Sequence, residues 1–451
     1  MSHLKAQGAL ILSELNDLKR TVGSCATELD WDKNEVERIV KGDAHQDLVN
    51  KFIDAFAAFY PVNKSNLILC ESDCENGVKI FTLEQSRVSA RVFDRKDHQA
   101  RYTPYYEYCD TATSALSAYR PEWIKQLRVV EDNDPYNLDV AYNNGHLMHQ
   151  VTFFVGPVNF YYMHDGKKVC EVMNTGDSNY ITPFCPHSFT TRNSDEEAYI
   201  IAVTFGANVK RAIEELYHLG ASRSGKYIID TCDPAQGVQD LLDYHLNNAR
   251  KNRHTLQEWM DQAEIKINVL DRQYQLDEEA IKVIAEMLNL NITDFMFSVA
   301  SSEDEVIIKK TVSSEAYVYP APSDPKYKIW PLAGTKKLPL VRASRIEILQ
   351  QECAFSPDFS LGLHTYLFNY GDYPCGFVWK YNDEIHTVIL NPGDSIYVQP
   401  FVEHLFYKVS TEVPQIFSVG IPGAISFEVQ KELSNLKDIN RTVFETQCWF
   451  N

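Results

Sequence analysis

The spacing of apolar and polar residues divides the chain into alternating helical and strand-like regions. Apolar residues recur every three or four positions in the first 70 residues and again between residues 209 and 300, which predicts short amphipathic helices. The remaining regions contain short runs of β-branched and aromatic residues, which predict strands. The predicted helices are residues 4–18, 25–29, 34–40, 46–60, 212–219, 238–249, 254–266 and 278–289, and the clearest strands are 78–82, 150–155, 159–163 and 198–205.

The chain has a helical region and a strand region, followed by a second helical region and a second strand region. This order predicts an internal repeat. Residues 176–187 and 393–404 carry its clearest sign, because they match at seven of twelve positions, namely Gly, Asp, Ser, Tyr, Pro, Phe and His. We therefore predict an α+β fold, a tandem repeat of a helical (helix-turn-helix-like) domain plus a β-barrel. The predicted domains are a helical domain at 1–70, a barrel at 71–208, a second helical domain at 209–300 and a second barrel at 301–451.

A candidate metal site combines the first copy of this motif with the preceding strand. Alternate residues of a strand share a face, so His146 and Gln150 point one way and His149 points the other. His187 ends the motif, where a small barrel would bring it beside the earlier strand. Two imidazoles and one oxygen donor suit a facial triad for Fe(II) and O2 chemistry. The alternative is that these are hydrogen-bonded core histidines, and a neutral Gln amide is a weaker ligand than a carboxylate.

The second copy of the repeat lacks most of these donors. Aligning Gly371 with Gly156 places His364 opposite His149, Leu361 opposite His146 and Thr365 opposite Gln150. The sequence therefore predicts a metal site in the first barrel only.

Composition narrows the class of protein. At 451 residues the chain is long enough for two to four domains. A formal net charge of −19 disfavours nucleic acid and anionic membranes as partners, although a local basic cluster could still bind a small anion. We expect no signal peptide and no membrane span, because no apolar run is long enough. Ten cysteines without a CxxC pair predict reduced thiols and a cytoplasmic protein.

The Gly-Asp…Pro…His segment, with a His on an earlier strand, resembles the cupin superfamily. The tandem of helical and cupin domains, with Asn143-Asn-Gly-His-Leu147 and the motif ending Cys185-Pro-His187, more narrowly resembles the hydroxyethylphosphonate dioxygenase and methylphosphonate synthase family. This resemblance covers nearly the whole chain. It implies a mononuclear non-haem Fe(II) enzyme that uses O2 to cleave the C–C bond of 2-hydroxyethylphosphonate without an organic cofactor, and it is compatible with a homo-oligomer.

Two positions distinguish the branches of this family. The dioxygenase branch has a Glu ligand six residues before the second His, where this chain has Ile181, which cannot bind a metal. The synthase branch has a Gln four residues after the first His, where this chain has Gln150. The resemblance thus implies iron bound by His146, Gln150 and His187, and methylphosphonate with CO2 or bicarbonate as products. The alternative is the dioxygenase reaction, which gives hydroxymethylphosphonate and formate.

The resemblance also implies a set of residues around the substrate. Asn143 and Tyr108 match residues that hydrogen-bond the phosphonate, and Arg101 lies one residue from the place of a phosphonate-binding Arg. Lys19 matches a Lys that reaches the active site from the helical domain. Lys19 and Tyr108 are therefore the candidate catalytic residues, with Lys19 also supplying positive charge for an anionic substrate.

Two other classes of protein remain as alternatives. The first is a transcriptional regulator with a helix-turn-helix head and a cupin sensor. Its would-be recognition helix, residues 32–38, has three acidic and two basic residues, and residues 275–280 are acidic too. DNA phosphates would repel both segments, so we expect no nucleic-acid partner. The second alternative is a metal-free isomerase or structural protein.

Overall fold

The computed structural model describes residues 3–117, 119–299, 305–351 and 354–444, which form two compact units. The first unit comprises the described parts of Met1–Lys79, Ser114–Ala118 and Pro422–Asn451, and the second comprises Ile80–Thr113 and the described parts of Tyr119–Ile421. The helices are α1 His3–Asp17, α2 Val22–Leu29, α3 Lys33–Lys41, α4 Gln46–Phe59, α5 Leu83–Val88, α6 Asn208–Arg211, α7 Ile213–Ser224, α8 Pro234–Asn248, α9 Arg253–Gln262, α10 Glu278–Leu288, α11 Phe427–Ser434 and α12 Ile439–Phe444.

The first unit is built on α1 to α4, whose apolar faces meet in one core around Ile11, Phe52 and Phe56. Local sequence sets the helix ends. The Thr21 side chain caps the start of α2, and Gly42 ends α3 in the left-handed conformation that favours glycine. The periodicity therefore predicted all four helices to within a few residues.

The second unit contains twenty strands or parts of them, together with a helical segment. The strands are β1 Val78–Phe81, β2 Arg91–Lys96, β3 Tyr102–Asp110, β4 Arg120–Gln126, β5 His149–Val155, β6 Val158–His164, β7 Lys167–Met173, β8 Ser178–Ile181, β9 His187–Thr191, β10 Tyr199–Phe205, β11 Val306–Lys309, β12 Tyr317–Ala321, β13 Asp324–Pro331, β14 Arg342–Ile348, β15 His364–Asn369, β16 Cys375–Tyr381, β17 Glu384–Leu390, β18 Ser395–Val398, β19 Glu403–Lys408 and β20 Gln415–Ile421. Helices α8 to α10 pack around Leu242, Leu256 and Ile284, as the helical periodicity predicted.

Four antiparallel sheets are formed from these strands. The first sheet pair consists of a seven-stranded sheet, in the order β11-β8-β5-β10-β4-β3-β2, and a three-stranded sheet, β7-β6-β9. The second sheet pair consists of β1-β18-β15-β20-β14-β13-β12 and β17-β16-β19. In the first pair, Phe154 of the large sheet packs against Phe160 and Phe189 of the small one, with ring centroids about 6 Å apart.

The hydrogen bonds of these sheets correct one expectation from the sequence. Within the described ranges, no ladder closes on itself, so neither half is a closed β-barrel. Each half is instead two sheets that share a core. Side-chain packing between the sheets replaces the continuous ladder that a closed barrel would require.

The two copies of the Gly-Asp-Ser motif clamp each half to a segment of the other. The Asp177 carboxylate accepts hydrogen bonds from the backbone N–H groups of Asn174 and Thr311, at 2.9 and 2.8 Å. Asp394 does the same for Asn391 and Leu83, at 2.9 and 2.8 Å. Strand β11 accordingly pairs with β8 at the edge of the first large sheet.

The adjacent serines of the motif extend this exchange. Ser178 Oγ accepts a hydrogen bond from the N–H of Ala333 at 2.9 Å, and Ser395 Oγ accepts one from Ala112 at 2.8 Å. Phe153 also stacks on Phe417 across the two sheet pairs, with centroids 5.0 Å apart. The repeat that the sequence reveals is therefore also what joins the two halves.

Two expectations about the whole chain can be compared with the structure. Among the described residues, no helix combines the length and the apolar character that crossing a membrane requires. The eight cysteines in the described ranges are free thiols, whereas Cys353 and Cys448 lie outside those ranges.

Candidate metal centre and active-site cavity

The predicted metal ligands line one cavity in the first sheet pair. The cavity has a volume of about 250 Å³, and its walls include His146, Gln150 and His187 together with Tyr108 and Asn143. Arg95, Glu122 and Thr204 also contribute to the walls. Five of the eight site residues predicted from the sequence are thus in one place, although they come from three separate segments of the chain.

Hydrogen bonds hold both imidazoles with one nitrogen available. His187 Nδ1 lies 2.9 Å from the carbonyl oxygen of Cys185, and His146 Nδ1 lies 3.1 Å from that of Met148. A carbonyl oxygen can only accept, so Nδ1 carries the proton in each ring and Nε2 carries the lone pair that could bind a metal. Burial lowers the pKa of His187 to about 4, which keeps the ring neutral at physiological pH.

Gln150 presents an amide oxygen to the same cavity. Its side chain is 4 % exposed, and its Nε2 donates to Thr152 Oγ1 at 2.9 Å. Because the nitrogen is engaged, the carbonyl oxygen is the group that remains for a metal. Ile181 lies directly opposite Gln150 in the β5–β8 ladder and is 1 % exposed.

The donor set fits a hard or borderline divalent ion held by two imidazoles and one amide. In the described part of the chain, no three His, Cys, Asp or Glu side chains converge into a metal-binding group. His146, Gln150 and His187 could together hold such an ion, with the Gln150 amide oxygen as the third protein donor. The two Nε2 atoms and this oxygen are the donor atoms that the protein would supply to the metal.

Asn143 connects the loop before the first His to the second His. Its Oδ1 accepts hydrogen bonds from the backbone N–H groups of Gly145 and His187, both at 2.9 Å. Its Nδ2 lies 3.1 Å from His187 Nε2. The amide N–H therefore points to the side of His187 on which a metal and its substrate would lie.

A cluster of ionisable groups forms the opposite wall. Burial is the main cause that raises the pKa of Tyr108 to about 12, so this phenol is neutral and can donate a hydrogen bond. Burial also raises the pKa of Glu122, whose carboxylate pairs with Arg91 at 3.1 Å. Arg95 adds a cation to the same wall.

Two predicted substrate-binding residues lie elsewhere. Arg101 is on the turn after β2, where its exposed guanidinium pairs with Asp97 at 2.8 Å, and it is not among the residues that line the cavity. Arg95 of β2 lines the cavity instead. The resemblance pointed to Arg101, and no local motif marks Arg95.

Lys19 lies in the first unit rather than in the strands that form the cavity. It follows α1 in the left-handed conformation, and its Nζ donates to the carbonyl oxygen of Asn16 at 3.1 Å. Its catalytic role stays a prediction.

Comparison with known proteins places this chain in a family. No family model matches the chain. The methylphosphonate synthase of Nitrosopumilus maritimus (strain SCM1) is 35% identical over 457 residues, which cover 100% of this chain and 96% of that protein. The chain belongs to the hydroxyethylphosphonate dioxygenase and methylphosphonate synthase family. This finding confirms the resemblance inferred from the two His-containing motifs.

Solved structures agree with this assignment. The dioxygenase HEPD of Streptomyces albus, with 2-hydroxyethylphosphonate and Fe(II) bound, is 30% identical and covers 99% of both chains, with a TM-score of 0.87. PhpD with cadmium, complexed with hydroethylphosphonate, has a TM-score of 0.73 at 16% identity and covers 99% of this chain and 100% of its own. The second likeness is one of fold alone.

Proposed function

We propose that this protein binds Fe(II) through His146, Gln150 and His187 and uses O2 to convert 2-hydroxyethylphosphonate to methylphosphonate and CO2 or bicarbonate. With CO2 as product, one water completes the atom balance. The observation that supports this most directly is the convergence of two imidazoles with unprotonated Nε2 atoms and one amide oxygen on a single cavity. Bound iron would hold O2 and the substrate oxygens side by side and accept electrons from the substrate.

The chain's own groups would bind and orient the anionic substrate. Arg95 supplies positive charge, while Tyr108 and the Asn143 amide supply neutral N–H and O–H donors. A cation and two donors fixed in a partly buried cavity hold a phosphonate more strongly than the same groups in water. On a protein with a net charge of −19, this local arrangement supplies the attraction that the overall charge opposes.

The identity of the third ligand favours the synthase over the dioxygenase. Ile181 occupies the position of the dioxygenase Glu and faces Gln150 across the ladder, so no carboxylate stands at that position. A neutral amide leaves iron more electron-poor than Glu would. We infer that this favours hydrogen transfer to the substrate fragment over its hydroxylation. The dioxygenase outcome remains the second candidate, because HEPD shares 30% identity over the full chain.

We propose that each sheet pair is a cupin-type unit preceded by a helix-turn-helix-like segment, with domains at 1–70, 71–208, 209–300 and 301–451. Lys19 would act on the substrate from the helical part, and the enzyme would be cytoplasmic. The free thiols in the described ranges are consistent with that location.

Phosphorus NMR tests the reaction. The protein is loaded with Fe(II) without oxygen, mixed with 2-hydroxyethylphosphonate and then exposed to O2. Methylphosphonate is the expected product. Hydroxymethylphosphonate would support the dioxygenase instead, and absence of turnover with iron bound would exclude this substrate.

Iron stoichiometry tests the ligands with a matched pair of variants. His146→Ala removes one lone pair and should abolish stoichiometric Fe(II) binding. His149→Phe is the control, because His149 stacks between Tyr180 and Phe205 and does not line the cavity. Equal iron content in the two variants would contradict the proposed ligand set.

A further inference from the structure

The second sheet pair contains a cavity of its own, at the place that corresponds to the metal cavity. Its volume is also about 250 Å³. Thr365 and Leu361, which the repeat aligns with Gln150 and His146, both line it. His404, the counterpart of His187, lines it too. The repeat has therefore kept the space while replacing two of the three metal donors.

The polar groups of this cavity lie in rows near its mouth. In the ladder of β14, β20 and β15, Arg342 is paired with Gly420, which faces Thr365. The next row inward pairs Ser344 with Ser418. Among the described residues, no hydrogen bond or ion pair engages the Arg342 guanidinium or these two serine hydroxyls. One cation and two hydroxyls are thus available to a ligand.

The deeper part of the cavity is apolar. Leu367 continues the row of Ser418, and Ile346, Phe359 and Phe406 complete the floor. Arg342 is the one formally charged side chain among the described lining residues. The register places Ser344 where the first cavity has Glu122, so no carboxylate opposes an anion here. The cavity is cationic at one end and hydrophobic at the other.

His404 provides too few ligands for a metal ion, but it adds a hydrogen-bond acceptor to the cavity. Its Nδ1 lies 2.9 Å from the carbonyl oxygen of Val402, as His187 Nδ1 does from that of Cys185. The His404 residue is 2 % exposed. Its Nε2 is the one imidazole nitrogen that the described lining offers as a metal ligand, with no Gln or second His beside it. One neutral nitrogen does not hold a metal ion, although it can accept a hydrogen bond.

We propose that the second cavity binds a small organic monoanion, a carboxylate with a short apolar chain, with its head at Arg342 and its chain against Leu367 and Phe406. A guanidinium matches a planar carboxylate in a bidentate geometry. Arg342 is exposed at the edge of the cavity and is the one charged group of the described lining, so it balances one negative charge rather than two. The volume corresponds to about eight water-sized groups at roughly 30 Å³ each, which suits a six-carbon acid. This proposal does not depend on the reaction in the first cavity.

Calorimetric titration with hexanoate tests it. The protein is loaded with Fe(II) under anaerobic conditions, and the first cavity is saturated with 2-hydroxyethylphosphonate. Hexanoate should bind at one site per chain. Arg342→Ala should weaken binding roughly tenfold or more, because it removes a charge-assisted pair. Hexan-1-ol, which lacks the charge, should bind less tightly than hexanoate.

Two further variants keep the test decisive. Arg95→Ala, which removes the cation of the first cavity, should leave hexanoate binding unchanged. Leu367→Trp, which fills the second cavity, should abolish it, and the thermal unfolding of each variant shows whether it has folded. Absence of binding at millimolar hexanoate, competition by 2-hydroxyethylphosphonate, or greater loss from Arg95→Ala than from Arg342→Ala would each overturn the proposal.

Discussion

Gln150 and Ile181 face each other across neighbouring strands, so one side chain directly affects what the other can do. Opposed residues in an antiparallel pair are about 5 Å apart at their Cα atoms. A carboxylate at position 181 would therefore lie beside the Gln150 amide and would be the stronger ligand. The buried, apolar Ile181 offers no donor, so the Gln150 amide is the candidate third ligand of the proposed site.

Ile181→Glu tests this relation. Without metal, the new carboxylate is buried with no partner, and we expect a loss of about 3 kcal/mol or more in the free energy of unfolding. Fe(II) should restore much of that loss by binding the carboxylate. Urea unfolding of the metal-free and iron-loaded forms measures both effects. Ile181→Gln is the control of similar shape without charge, and equal recovery by iron in both variants would contradict the argument.

The two arginines offer a second test at the scale of single residues. Arg95→Ala should raise KM for the phosphonate by roughly tenfold or more, because it removes a cation from the cavity wall. Arg101→Ala should change KM little, because its exposed pair with Asp97 lies on a turn. Steady-state kinetics on both variants decides between them. A larger effect from Arg101→Ala would restore the assignment made from the sequence.

In each Gly-Asp-Ser turn, one side chain holds separate segments of the chain together. Each aspartate accepts two backbone N–H groups, one from its own turn and one from the other half of the repeat. The first three residues of the motif that marked the candidate metal site, Gly-Asp-Ser, therefore have a structural role: they hold the two halves together. In each copy the final His is the motif residue that lines the 250 Å³ cavity of its sheet pair.

Asp394→Ala should therefore lower the free energy of unfolding by about 2–4 kcal/mol, because it leaves two backbone donors without their charged acceptor. Asp394 is 5 % exposed and does not line the metal cavity. Asp372→Ala, at an exposed turn, is the control and should change stability by less than about 0.5 kcal/mol. A loss no greater than that of the control would show that the clamp contributes little.

The same elements show what the sequence could predict. Helices were found because their periodicity and capping residues are local, and the alignment of His364 with His149 holds in detail. Each of these rings lies 2.6 Å from the hydroxyl of a tyrosine, Tyr397 or Tyr180. The strand exchange and the place of Arg95 in the cavity wall depend on how separate segments pair. No local pattern records such pairing, and so both were missed.

Across the whole molecule, the two halves share a set of buried or half-buried histidines with lowered pKa values. Burial lowers the pKa of His149, His187 and His404 to about 4, and it also lowers that of His364. Unfolding exposes these rings and returns their pKa values to about 6.5. Between these values the unfolded chain binds more protons than the folded protein, so stability rises with pH in this window.

We therefore expect the metal-free protein to lose stability as the pH falls from 7 to 5. His404 alone should account for about 2 kcal/mol of that loss, because its folded pKa stays below the window while its unfolded pKa lies inside it. His404→Phe retains a ring against Phe359 and Phe377 but removes the titration, so its unfolding free energy should fall by about 2 kcal/mol less over the same range. Urea unfolding at pH 7 and pH 5 measures the difference. Phe406→Leu is the control: it disturbs the same packing without removing a titrating group, so it should keep the full pH dependence of stability. If stability falls as much with pH in His404→Phe as in the unaltered protein, His404 does not contribute to the pH dependence.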